Sequence, residues 1–163
     1  MIVRRLTGVL ILLVASFWAG VASAACYSPG ACSCSVSLTS IAFGSYDTQS
    51  PGPTDTVGSL SISCSSGNPA DSTLSIALSP GSSGNANART LLRGTHPLYY
   101  NLYTNVARTI IWGDDSGGGE SVASSFPPVS RTAKTFSIYG RIPALQNAWA
   151  GAYYDSVTVT VSY

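Results

Sequence analysis

Apolar and polar residues alternate with a period of two along most of the chain, and the 3.6-residue period of an amphipathic helix is nearly absent. The clearest case closes the sequence: Val157, Val159, Val161 and Tyr163 alternate with Ser156, Thr158, Thr160 and Ser162. One face of that segment is apolar and the other is rich in hydroxyls. The same periodicity predicts strands over residues 34–43, 57–64, 73–78, 98–103, 109–112, 135–142 and 154–163. Between them lie turn-formers: Gln49-Ser50-Pro51-Gly52-Pro53, Ser66-Gly67-Asn68-Pro69, Ser79-Pro80-Gly81-Ser82-Ser83-Gly84 and the stretch 114–119. Pro and Gly gather in these gaps, where they do not interrupt a ladder. About seven short strands at such spacing predict an all-β, immunoglobulin-like antiparallel β-sandwich. A closed barrel would need the same pattern. No internal repeat, heptad or linker divides the chain.

The start of the chain departs from this pattern. Arg4 and Arg5 precede an almost unbroken apolar run over residues 6–21, and Ala22-Ser23-Ala24 follows as a small-residue cleavage site. Basic, apolar, small-x-small is the order of a secretory signal peptide. Thr7, Gly8, Ser16 and Gly20 weaken the alternative of a membrane anchor. Residues 1–24 are therefore read as a signal peptide and residues 25–163 as one mature domain, with no stable membrane span after cleavage.

Removing the leader changes the charge. The remaining 139 residues hold six basic residues and seven acids, a formal charge of −1. That balance gives no footprint for nucleic acid or for an anionic membrane. Few charges with much Ser, Thr and Gly suit an exported β protein.

All four cysteines, Cys26, Cys32, Cys34 and Cys64, follow the leader. An even number in an exported chain reads as disulfides. Cys32 and Cys34 form one close pair, whereas a four-thiolate zinc site needs two, and the sole histidine, His96, is remote. Cys34, Val36 and Leu38 share a parity in one predicted strand, as do Leu60, Ile62 and Cys64 in the next. Both sets then face the core, which favours Cys34–Cys64 as a link between two early strands and Cys26–Cys32 as a small loop. The exchange of Cys32 for Cys34 stays open.

Nothing in the sequence assembles a catalytic centre, and no cofactor or metal is expected. Asp114, Asp115 and Glu120 share a Gly-rich loop, without the spacing of a helix–loop–helix calcium site. His96 has no matched nucleophile and acid. Aromatic residues are more informative. Alternation puts Tyr99 and Tyr103 on one face and Tyr100 and Leu102 on the other, one set in the core and the other free for contacts. Tyr100, Trp112 and Trp149 are candidate contact aromatics, Trp149 because it falls in a turn.

Several motifs occur in a fixed order: Ala42-Phe43-Gly44-Ser45-Tyr46, Ile62-Ser63-Cys64, Leu98-Tyr99-Tyr100-Asn101-Leu102-Tyr103-Thr104, Ile111-Trp112-Gly113-Asp114, Tyr139-Gly140-Arg141-Ile142-Pro143, and Ala150-Gly151-Ala152-Tyr153-Tyr154-Asp155-Ser156-Val157 before a Val-Thr-Val ending. Together they resemble the spore coat protein U domain family, which includes pilins of the archaic chaperone–usher class. The resemblance implies an immunoglobulin-like sandwich lacking its final strand, with an apolar groove that a periplasmic chaperone fills first and the next subunit's N-terminal segment fills later. It implies an outer-membrane usher and other pilus subunits as further partners, and a route through the periplasm to the cell surface. On that scheme Val157, Val159 and Val161 line the donor-strand groove, with Tyr163 at its rim. A complete sandwich would use the same valines as ordinary core, and a stand-alone secreted binding module is the alternative function.

The sequence departs from the pilin pattern in one place. A donor segment should alternate over about a dozen positions before the first cysteine-bearing strand. Residues 25–33 are instead short and interrupted by Pro29-Gly30. That points to a tip or terminal subunit, or to a family member outside the main fibre. N-terminal sequencing of the exported protein should read Ala25-Cys26-Tyr27, and alkylation under denaturing conditions should label no thiol; a retained leader or a labelled cysteine contradicts this reading.

Overall fold

The structure, a computed structural model, describes residues 9–10, 33–65, 72–126 and 133–162. The strands among them are β1 (Val9–Leu10), β2 (Ser33–Leu38), β3 (Ala42–Gly44), β4 (Thr54–Ser65), β5 (Ser72–Leu78), β6 (Arg89–Arg93), β7 (His96–Tyr103), β8 (Val122–Phe126), β9 (Lys134–Ile142) and β10 (Val159–Ser162). Two short 3-10 turns, Gly81–Ser83 and Ala86–Ala88, interrupt them, and the described residues contain no α-helix. A five-stranded sheet runs β2-β4-β9-β7-β6 and a three-stranded sheet runs β10-β5-β8, both antiparallel. The chain is thus an immunoglobulin-like antiparallel β-sandwich.

Alternation builds the core. Leu60 and Ile62 of β4, Leu74, Ile76 and Leu78 of β5, Leu98 and Leu102 of β7, and Ile138 and Ile142 of β9 all point inward and are buried. Each such side chain contributes roughly 1.5–3 kcal/mol by leaving water. The parity argument for the first two strands holds in detail: Cys34 lies opposite Cys64, Val36 opposite Ile62, and Leu38 opposite Leu60. Val36 is nevertheless 39% exposed, because β2 is an edge strand with less of the core above it.

Three predicted strands come out differently. The stretch 34–43 splits at residues 39–41 into β2 and β3. The stretch 109–112 makes only isolated bridges, Tyr103 to Ile111 and Trp112 to Glu120. The terminal strand shortens to β10. Two strands had no clear signature. The β6 sequence Arg-Thr-Leu-Leu-Arg does not alternate, and Arg89, Thr90 and Leu91 are buried in succession. The β8 sequence Val-Ala-Ser-Ser-Phe is short and mostly small or polar, as an edge strand can be.

Two segments stitch the sheets together. Trp112 N–H donates to the Leu102 carbonyl of β7, while the Gly113 carbonyl accepts from Leu78 of β5. Further on, Tyr154 exchanges both backbone hydrogen bonds with Leu92 of β6, and Val159 then pairs with Leu78. The chain therefore passes from one sheet to the other between residues 154 and 159.

A buried polar knot sits at this crossing. Arg89 is fully buried. Its guanidinium donates to the carbonyls of Ser79, Leu78 and Trp112, with Nη2 distances of 2.8, 3.2 and 2.8 Å, and to Asn101 Oδ1 at 2.8 Å. A longer bond reaches the Ala86 carbonyl. Tyr100 Oη donates to Asp155 Oδ2 at 2.5 Å, and Asp155 Oδ1 accepts from Ser82 N, Ser82 Oγ and Ser156 N. Burial, followed by the neighbouring Asp155 carboxylate, pushes the Tyr100 phenol far above its usual range. No buried side-chain nitrogen or oxygen among the described residues lacks a partner. Arg89→Met should lower the unfolding free energy by about 3 kcal/mol or more, because it strands several carbonyls as well as removing a charge; urea denaturation of the purified protein measures it, and a loss within experimental error would refute this account.

Candidate functional site

β3 is where the sandwich departs from a continuous sheet. The last ladder bond of the preceding strand is Thr39 N–H to the Ser59 carbonyl at 2.9 Å. The chain then climbs over the core face of β4 and β9. Ile41 and Phe43 are buried there, above two glycines. A Cβ on Gly58 would lie 2.6 Å from Ile41 Cγ1, and one on Gly140 would lie 2.8 Å from Phe43 Cζ. Only glycine lets the strand approach this closely. Phe43 also meets the Tyr100 ring edge-on at 5.9 Å, and Thr56 Oγ1 donates to the Ala42 carbonyl at 2.8 Å. Just beyond, Tyr46 Oη donates to the Pro143 carbonyl and accepts from Gln146 N–H, both at 2.8 Å.

The side chains of β3 are thus anchored, whereas its main chain has few partners. Its ladder neighbour among the described residues is β1, with Val9 opposite Gly44 and Leu10 opposite Ala42. Those two residues belong to the apolar run read above as a leader. Val9 and Leu10 are therefore seated antiparallel on this edge.

β10 presents a second edge. Val159, Thr160, Val161 and Ser162 pair with Leu78, Ala77, Ile76 and Ser75 of β5. On the other side β10 has no ladder partner among the described residues. Val159 and Val161 are partly buried against the core, while Thr160 and Ser162 are exposed. Val157 lies before the strand and is buried, so it belongs to the finished interior. Tyr163 lies outside the described residues.

The other candidates separate cleanly. Tyr100 and Trp112 are buried, at 2% and 1% exposure, which corrects their reading as contact aromatics. Tyr100 shares its inward face with Leu98 and Leu102, and the Trp112 indole N–H donates to the Ile76 carbonyl at 2.9 Å. Trp149 is 55% exposed. Cys34 is partly buried and disulfide-bonded. Cys26 and Cys32 lie outside the described residues, as does the segment read as a failed donor. In the acidic loop, Asp114 Oδ1 accepts from Ser116 Oγ and N, and Asp115 Oδ1 from Ser121 N. These bonds hold both carboxyls below their usual range. Among the described residues no three His, Cys, Asp or Glu side chains group as metal ligands. The β3 edge was not read as a separate feature. Its signal was present in Gly58 and Gly140, two glycines inside otherwise regular strands.

The sequence profile of the Spore Coat Protein U domain matches residues 22–160. Protein U of Myxococcus xanthus is 35% identical over 111 residues, which take in 65% of this chain and 59% of that protein. The chain thus spans somewhat more than half the length of that relative. Among solved structures, a chain in the CsuC–CsuE chaperone–tip adhesion subunit pre-assembly complex, from the archaic chaperone–usher Csu pili of Acinetobacter baumannii, superposes with a TM-score of 0.53. The two are 20% identical, and the match covers 82% of this chain and 40% of that one. At that identity the likeness concerns the fold.

If β3 depends on the glycine floor, Gly140→Ala should destabilise the protein by about 1–3 kcal/mol through overpacking against Phe43 and Thr56. Adding Phe43→Leu should recover part of the loss. Denaturant midpoints of the two variants measure both effects, and an undiminished midpoint for Gly140→Ala would contradict the close approach.

Proposed function

Because the chain belongs to the Spore Coat Protein U domain family, we propose that it is a structural or adhesive subunit of a bacterial surface pilus or coat, assembled by the chaperone–usher route through donor-strand complementation. The observation that carries this reading is the pairing of β3. Its main chain is met by an apolar stretch of the N-terminal run, Val9–Leu10. On this reading residues 1–24 are a signal peptide, and their removal leaves β3 without that neighbour, while β10 is paired on one side only among the described residues. Unpaired strand edges are templates for an added strand.

Strand addition matches the chemistry of these edges. An incoming extended segment gains main-chain hydrogen bonds, and its alternate side chains meet apolar surface. Val159 and Val161 are the wall residues of such a groove, because they are only partly buried. Val157 supports them from within the core. Tyr163 is assigned to the rim. The occupant in transit is a periplasmic chaperone, and after passage through an outer-membrane usher it is a segment of another pilus subunit. The likeness to a chain of the CsuC–CsuE complex, a chaperone with a tip adhesion subunit, supports a fold compatible with that exchange.

The chain is assigned an acceptor role without a donor role. Residues 25–33 contain Pro29-Gly30 and two cysteines, a poor match to a flat alternating strand. Cys34 faces Cys64 across the β2–β4 ladder, a separation that a disulfide spans, and we assign Cys34–Cys64 as one bridge and Cys26–Cys32 as the other. The protein is then a tip or terminal subunit, delivered to the cell surface.

The test is periplasmic co-expression of the mature chain, residues 25–163, with and without an archaic-class chaperone from the same genome. A one-to-one complex on gel filtration is expected, with the backbone amides of β3 and β10 slow to exchange only in the complex. Val161→Asp should abolish the complex by placing a charge in the groove. A chain that melts cooperatively alone, with those amides already protected, would overturn the proposal.

A further inference from the structure

A second exposed feature lies apart from β3 and β10, at the far end of the five-stranded sheet. β6 and β7 are joined by a two-residue turn with Gly94 at φ +60° in its first central position, as a type II′ hairpin turn requires. The turn sets Arg93 directly opposite His96. These two share a face with the buried pair Leu91 and Leu98, but lie beyond the core.

The loop after β9 folds over this hairpin tip and holds an indole on it. The Trp149 ring stacks on His96, with centroids 4.4 Å apart and planes inclined by 17°. Trp149 N–H donates to Tyr153 Oη at 2.9 Å, and Tyr153 is fully buried. The indole is therefore backed and anchored while remaining 55% exposed. Gly151, at φ +144°, makes room for Arg93: a Cβ there would fall onto Arg93 Nε. The Arg93 guanidinium makes no hydrogen bond or ion pair with the described residues. No Asp or Glu occurs in residues 93–97 or 145–154. The neighbourhood thus combines an unneutralised fork of donors with a rigid, flat aromatic surface.

The backbone around this shelf is closed to an added strand. Leu92 spends both its N–H and its carbonyl on Tyr154. Tyr99, on the other strand, gives its N–H to Gln146 Oε1 and its carbonyl accepts from Gln146 Nε2, both at 2.8 Å. A peptide strand finds no free edge here, so recognition falls to the side chains. A planar guanidinium matches a carboxylate with two parallel bonds. An exposed indole takes a flat surface of C–H groups with polar groups at its margin.

We propose that Arg93, His96 and Trp149 bind a uronic acid unit of an acidic polysaccharide, with the carboxylate on Arg93 and a face of the sugar ring on Trp149. The site stands on residues that donor-strand complementation does not use, so either proposal can fail without the other.

The test titrates the exported protein with oligogalacturonate, its methyl ester and poly-glutamate. Binding is followed by the Trp149 indole resonance and by fluorescence, since after leader removal Trp112 and Trp149 are the remaining tryptophans and Trp112 is buried. Oligogalacturonate should shift the Trp149 signal, and added salt should weaken the shift. The methyl ester should bind about tenfold or more weakly, because it keeps the ring but loses the charge. Trp149→Ala should remove binding at an unchanged melting temperature, and Arg93→Gln should remove the preference for acid over ester. Should Trp149→Ala fold poorly, the wild-type indole shift alone still decides the matter. An unshifted indole overturns the proposal. So does equal binding of poly-glutamate, which would make the site a docking point for acidic protein.

Discussion

Arg89 keeps a full positive charge inside the sandwich with no surface exposed to solvent. Taking an ion out of water costs several kcal/mol unless protein dipoles replace its hydration. Here the replacements come from separate parts of the chain: the end of β5 and the residue after it, the Ala86 turn, Asn101 on β7 and the Trp112 carbonyl. The acceptors at the end of β5 come near Asn101 on β7 only once both sheets have come together. Burial pushes the guanidinium below its ordinary pKa. The same locality holds the Tyr100–Asp155 bond, where the C-terminal segment leaves the five-stranded sheet for the three-stranded one. A network satisfied at every member rigidifies its surroundings, and a network missing one member is worse than an apolar core.

That requirement gives the sandwich an asymmetry. Along the side of Arg89, residues 111–113 and 154–159 carry hydrogen bonds between the sheets, so little main chain is left over. At β3 and β10, main-chain pairing is on one side only among the described residues, and side-chain burial supplies the rest of the hold. β3 is held by Ile41 and Phe43 over glycines, and β10 by Val159 and Val161 against the core. Side chains there are committed to the core, and the outer main-chain edge of β10 has no ladder partner among the described residues.

Much of this was legible in order. Alternation located β4, β5, β7 and β9 with small errors at their ends, and it gave the facing of Cys34 and Cys64 before their register was known. It also separated Tyr100 from Tyr99, now 2% and 53% exposed. It failed where its physical basis fails. The three consecutive buried residues that open β6 include Arg89, whose hydrogen-bond partners are scattered along the chain. The stretch 109–112 has strand-like composition, but its backbone groups are divided between two sheets. Trp112 was open to either reading by type, and only its bond to the Ile76 carbonyl explains why so large a ring with a polar edge lies in the core.

The sequence by itself determined the class of fold and the face each regular strand turns inward. These follow from period-two patterning and backbone stereochemistry, which act over a few neighbouring residues. Only the tertiary structure decided that β10 has a ladder partner on one side alone among the described residues, that β3 rides over Gly58 and Gly140, and that Trp149 is propped on His96 beside Arg93. Each of those depends on residues brought together from tens of positions apart, and a local pattern carries no record of which distant segment will occupy the space beside it.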